Sequence, residues 1–228
     1  MKAIVLLAVS LASSIACADD NVPDLLQLSG VEVFDHPVAA PANAIEIGVA
    51  TGYTRGIGPI GRGMQRLDEI SKAGGAVELD AMYRIDPRFA LGVYFSIAKY
   101  ATSQQVDTQT DVFGATAGVE AAAHLRPERS VDPWVSVAAG WRSLALSSRA
   151  TPDGSLQGLE LARLQLGVDY RVNEDVAIAP VVGGSMNMFV TDETPGELME
   201  ISDKKLNFVG FFGVAGRFDV GGTRHGRD

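Results

Sequence analysis

Eight stretches in which apolar residues alternate with small or polar ones follow one another from about residue 44 to 218. An alternation of period two marks a strand with two unlike faces. In the first stretch Ile45, Ile47, Val49, Thr51 and Tyr53 alternate with Glu46, Gly48, Ala50, Gly52 and Thr54. In the third, Phe89, Leu91, Val93, Phe95 and Ile97 alternate with Ala90, Gly92, Tyr94, Ser96 and Ala98. The links between stretches read long, short, medium, short, medium, short, long. A closed barrel in a membrane has this pattern, with one face of each strand toward lipid, the other toward the lumen, and tight turns at one end only. The predicted fold is therefore all-β, an eight-stranded antiparallel up-and-down transmembrane β-barrel.

Met1-Lys2 followed by a small and apolar run over 3–15, then Ala16-Cys17-Ala18, has the form of a secretory signal peptide cleaved after Ala18. The run is shorter than the ~20 residues that a spanning helix needs. Lipidation of Cys17 is the alternative, although Ser14 stands where a lipobox usually has Leu. Cys17 is the only cysteine, so cleavage leaves a chain without thiols or disulfides. A formal charge of −9 over 228 residues argues against a nucleic-acid partner.

The expected organisation is a signal peptide over 1–18, a periplasmic segment over 19–43, the barrel over 44–219 and a short periplasmic tail over 220–228. Asp86-Pro87 and Asn173-Glu174-Asp175 have turn chemistry and close short links. Tyr53, Tyr83, Phe89, Tyr100, Trp134, Tyr170, Phe189 and Phe218 lie near strand ends and are expected to form aromatic girdles at the membrane interfaces. The sixth strand is expected to set Ala162, Leu164, Leu166, Val168 and Tyr170 against Leu161, Arg163, Gln165, Gly167, Asp169 and Arg171.

The segments MYRIDPRFALGVYF and GVDYRVNEDVAIAPVVGG resemble the strand–turn–strand units of the small eight-stranded outer-membrane barrel family typified by OmpA and OmpX. The resemblance covers about 44–218 and rests on pattern and topology, with no diagnostic motif. It implies a location in the outer membrane of a Gram-negative bacterium, insertion by the barrel assembly machinery, and contact with outer-membrane lipid and lipopolysaccharide. A monomer is expected. The sequence departs from the family's usual aromatic ending, because ten residues follow Phe218.

Charged residues inside the spanning stretches cannot face hydrocarbon cheaply, so they are expected to face the lumen. Glu46, Glu78, Asp80, Glu120, Arg142, Arg163, Gln165, Asp169 and Arg217 form the candidate lumen network, with His124 near its periplasmic end. Glu120 and Arg142 are expected to pair across neighbouring strands, as buried charges generally do. An interior of eight strands is only wide enough for side chains to fill, so the lumen is expected to be plugged.

Other chemistry is weakly signalled. Gly56-Ile-Gly58-Pro-Ile-Gly61 matches the dinucleotide fingerprint in form, but no second βαβ unit follows; it reads as a mobile extracellular loop. His36, His124 and His225 lie far apart and lack metal-ligand spacing. No nucleophile–base pair stands out, so no catalytic, cofactor-binding or metal residue is assigned and no cofactor is expected. Asp192, Glu193, Glu197, Glu200 and Asp203 read as a solvated loop, with divalent-cation or host-ligand binding as alternatives. The expected role is structural or interactive: membrane integrity, adhesion or surface recognition, without enzymatic activity. A narrow porin-like channel is the first alternative. A lipid A-modifying enzyme and a soluble lipocalin-like barrel are the others.

Overall fold

The structure is a computed structural model that describes residues 39–64, 66–102, 110–148, 154–194 and 197–223. The expected signal peptide, Cys17, His36, most of the segment 19–43 and the end of the tail lie outside these residues. Strands β1 (Ala44–Ile57), β2 (Ser71–Arg84), β3 (Phe89–Thr102), β4 (Thr110–His124), β5 (Val131–Ser148), β6 (Gly154–Arg171), β7 (Val176–Thr194) and β9 (Leu206–Val220) form the wall. A short β8 (Glu197–Glu200) pairs outside the wall with β7, and a single helical turn, α1 (Leu67–Ile70), lies between β1 and β2.

Every wall strand is antiparallel to its neighbours. β1 pairs with β9 over Ile45–Val220 to Ile57–Phe208, and β6 pairs with β7, so the ring has no free edge. Closure leaves every wall strand hydrogen-bonded on both sides, as a bilayer core requires. Three short links at one end hold residues 85–88, 125–130 and 172–175. Asp86 forms the first by accepting hydrogen bonds from the Arg88 and Phe89 amides at 2.7 and 3.0 Å. Asn173 accepts from the Asp175 amide at 2.9 Å in the third.

The alternation sets the outer and inner faces. Leu79, Val93, Phe95, Val137, Leu166, Val182 and Val214 all point outward and are exposed. So many apolar side chains in one continuous belt are unfavourable in water and fit a hydrocarbon environment. A lipocalin-like barrel would need the reverse arrangement, so the soluble alternative is overturned.

Several expectations need correction. β1 runs three residues past the expected Thr54 because Arg55–Gly210 to Ile57–Phe208 pair with β9, and β2 begins at Ser71 because Ser71–Thr102 pairs with β3. Register shifts opposite β7 put Glu160 and Arg163 both inside, with Leu161 and Ala162 both outside. Leu161 therefore does not face the lumen: an extra residue in the strand resets its parity. Tyr100, Trp134 and Phe189 belong to the interior (5%, 3% and 1% exposed), while Tyr53, Tyr83, Phe89, Tyr170 and Phe218 face outward.

The expected mobile glycine loop is an ordered cap. The Gly58 carbonyl accepts from the Leu67 amide at 2.9 Å, and the Gly58 N–H donates to the Asp68 carboxylate at 3.2 Å. Ile60 accepts from the Lys205 amide at 3.0 Å, tying this loop to the last one. Ile60, Leu67, Ile70 and Ile201 are buried against Tyr100, Val112, Leu144, Leu156 and Phe189 of the upper wall. An apolar stopper thus closes the long-loop mouth, driven by the burial of side chains that water would otherwise surround. With the Gly58 amide spent on Asp68, the segment is a structural turn and not a phosphate cradle.

Candidate functional site

The chemically loaded part of the molecule is the lumen. All nine residues of the expected network lie on the inner face, arranged in two tiers. The middle tier is built from β2, β3, β5 and β6. Arg163 pairs with Glu78, and Gln165 donates to the same carboxylate at 3.3 Å. The Arg163 guanidinium lies 4.5 Å from the Tyr94 ring centroid, and the Tyr94 hydroxyl donates to Glu160. The Tyr94 hydroxyl fits because β5 has Gly140 opposite: a Cβ there would come within 2.7 Å of the phenol oxygen.

The expected Glu120–Arg142 pair is not formed. The register sets Arg142 opposite Thr116, four residues along β4 from Glu120, and its Nε donates to the Thr116 hydroxyl at 3.1 Å. Among the described residues, Arg142 makes no ion pair. Asp80 folds over Gly48, where any side chain would collide with its carboxylate. A cavity of about 30 Å³ remains between Glu78, Ser96, Arg142, Glu160, Arg163 and Gln165. That is room for about one water molecule.

The lower tier sits at the short-turn end. Glu46 on β1 pairs with Arg84 on β2 and accepts from Arg217 on β9 at 2.9 Å. Asp219 takes Arg171 at 2.9 Å and has Arg84 at 3.4 Å. Arg84 and Arg171 also donate to the carbonyls of Pro87 and Glu174, so each guanidinium fastens a turn to the network. Arg217 lies 3.9 Å from the Trp134 ring centroid. The indole in turn occupies the space that a side chain at position 167 would need, which is why Gly167 stands there. The His124 Nδ1 lies 2.7 Å from Asp132, and its Nε2 lies 3.3 Å from Arg217. An arginine can only donate, so Nε2 accepts and Nδ1 carries the hydrogen given to Asp132.

Arg84, Asp132, Glu160, Arg171 and Asp219 were not among the expected site residues. Arg84, Arg171 and Asp219 hide at strand ends, next to turns and the tail. Glu160 is hidden by the register shift. Asp132 reads as part of a turn, although its spacing of eight from His124 spans one hairpin. With these included, among the described residues eight carboxylates (Glu46, Glu78, Asp80, Glu120, Asp132, Glu160, Asp169, Asp219) face five guanidiniums (Arg84, Arg142, Arg163, Arg171, Arg217).

The short-turn mouth is also covered. The Ala40 amide donates to the Pro127 carbonyl at 2.8 Å, and Ala42 bridges to Thr223. Residues 40–42 are buried and run from the foot of β1 to the β4–β5 turn.

No protein-family model matches the chain, and no curated protein matches it in sequence. Solved structures do. Neisserial surface protein A superposes with a TM-score of 0.52 at 14% identity, over 76% of this chain and 96% of that one. The outer membrane protein OprG from Pseudomonas aeruginosa superposes with a TM-score of 0.50 at 11% identity, over 80% of this chain and 99% of that one. The fold is that of the small eight-stranded outer-membrane barrels. In such barrels the short turns face the periplasm and the longer loops face outward. In this chain the lower tier lies at the short-turn end, and the apolar stopper lies at the long-loop end.

Proposed function

We propose that this chain is a plugged outer-membrane barrel of a Gram-negative envelope, acting as a structural and surface-interaction protein rather than as a conduit or catalyst. The observation that carries this reading is closure at three levels. Apolar loop residues fill the outer mouth, polar side chains around the Glu78–Arg163 pair fill the middle, and residues 40–42 cover the periplasmic mouth. The surface available to partners is the extracellular end. There the β7–β8 arm holds Leu198 and Met199 in the open beside Glu193, Glu197 and Glu200. Both nitrogens of His124 are spent on lumen partners at the short-turn end, so a lipid A hydrolase gains no support from it.

The reading takes the barrel as a monomer in contact with lipid and lipopolysaccharide, inserted by the barrel assembly machinery. The test is conductance of the refolded protein in a planar bilayer. A silent bilayer is expected. Resolved single-channel steps that change on Arg142→Ala would overturn the plugged reading in favour of a narrow channel. That alternative draws on one feature, the ion-pair-free Arg142 beside the small central cavity.

A further inference from the structure

The lower tier contains a group that the role above does not use. His124, Asp132 and Asp169 come from β4, β5 and β6, are all buried, and each brings one ligand atom within 4.8 Å of those of the other two. We propose that these three side chains form a divalent-cation site of the first-row transition-metal type, closing the periplasmic end of the plug.

The donor set suits such an ion: one imidazole nitrogen and two carboxylate oxygens are common zinc and cobalt ligands, with a fourth position left for water. The distances from Nδ1, 2.7 Å to Asp132 and 3.8 Å to Asp169, bracket the ~3.3–3.6 Å spacing of ligands in a tetrahedral shell of ~2.0–2.2 Å bonds. Small side-chain shifts therefore admit an ion.

Asp169 is the independent pointer. It is fully buried, and neither carboxylate oxygen receives a hydrogen bond from the described residues. Oδ1 has the Arg217 Nε at 3.6 Å, while Oδ2 lies 3.8 Å from the His124 Nδ1. A buried carboxylate without hydrogen bonds is costly unless a charge is supplied to it. Among the described residues the lumen sets eight carboxylates against five guanidiniums, so the arginines are outnumbered.

The surroundings also hold the ligands in place. The Arg126 amide donates to Asp132 Oδ1 at 2.8 Å, leaving Oδ2 for the ion. Binding through Nδ1 moves the imidazole hydrogen from Nδ1 to Nε2. There it faces Glu46 Oε2, 3.9 Å away, and Arg217 gives up Nε2 while keeping Glu46 Oε1. No proton is gained or lost overall. Such a site was invisible in the sequence because only one of its ligands is a histidine and the three come from separate strands.

The experiment is Co²⁺ titration of the full barrel refolded in detergent, with retained metal measured after gel filtration and visible absorption recorded. One Co²⁺ per chain, displaced by Zn²⁺, with a coloured low-symmetry spectrum is expected. His124→Gln and Asp169→Asn, each shown to be folded by its shifted migration in unheated gels, are expected to weaken binding at least about tenfold. No retained metal in the folded barrel would overturn the proposal, as would equal binding by both variants. Should either variant fail to fold, Asp132→Asn takes its place under the same criterion. The NMR hydrogen position on His124 gives a second readout: transfer to Nε2 with Zn²⁺ supports the site, and an unchanged Nδ1–H refutes it.

Discussion

Glu46 shows how much the lumen asks of one side chain. It pairs with Arg84, accepts from Arg217 and faces His124, from a position with no exposed surface. Removing one member of a buried ion pair strands the others, which typically costs ~3–5 kcal/mol. Glu46→Ala is therefore expected to lower unfolding stability in lipid vesicles by about that amount. Urea titration of heat-modifiable mobility would measure it, and Glu46→Gln should lose less because it still accepts a hydrogen bond. Glu46 itself was legible from strict alternation in β1. Its partner Arg84 shared the inner parity of β2 but sat beside a turn, where a charge ordinarily meets solvent. Tyr100, Trp134 and Phe189 teach the opposite lesson. Alternation already put all three on the inner parity, but their closeness to strand ends suggested girdles, a position-based inference that packing overrides.

Among the elements, the loop between β1 and β2 departs most from its sequence impression. Glycine and proline made it read as mobile, yet Ile60, Leu67 and Ile70 seal the outer mouth. The signal was apolar residues in a link that is otherwise polar, but their destination is set by tertiary packing that no local period encodes. Asp68 helps hold this cap. Burial alone would raise its carboxyl, but the Gly58 amide, its own amide and Arg66 prevail and keep it below the ordinary 3.8. An acid held low in the folded state adds stability above its unfolded value and loses it as pH falls through the lower folded one. The protection of the Gly58 amide from hydrogen exchange is thus expected to be high at about pH 6 and to fall once the pH drops below the lowered value of the Asp68 carboxyl, while the wall stays protected. Equal protection at both would refute the cap's dependence on Asp68. In β6 the period itself fails: the extra residue between Glu160 and Arg163 cannot be seen as a register shift without β7 beside it.

At the scale of the whole molecule, topology, strand number and the lipid-facing belt were all readable, because bilayer and lumen impose the period on every strand. What lay beyond reading was which charges meet, since pairing follows barrel stagger rather than sequence distance. The belt makes a direct test. Val93 faces outward about a third of the way up β3, four residues above Phe89, which sits at its foot. Val93→Arg is expected to cost ~2–4 kcal/mol of stability in lipid, and Phe89→Arg only ~0–1. Equal penalties would show that the belt is not set in hydrocarbon. The hydrogen bond between Ala40 and Pro127 has a consequence for construction. β1 and β5 stand across the ring from each other, so the strand that opens the wall is reached from the far side. A reporter grafted just ahead of residue 39 would hang beneath the seam of β4 and β5, diametrically opposite the foot of the strand it precedes.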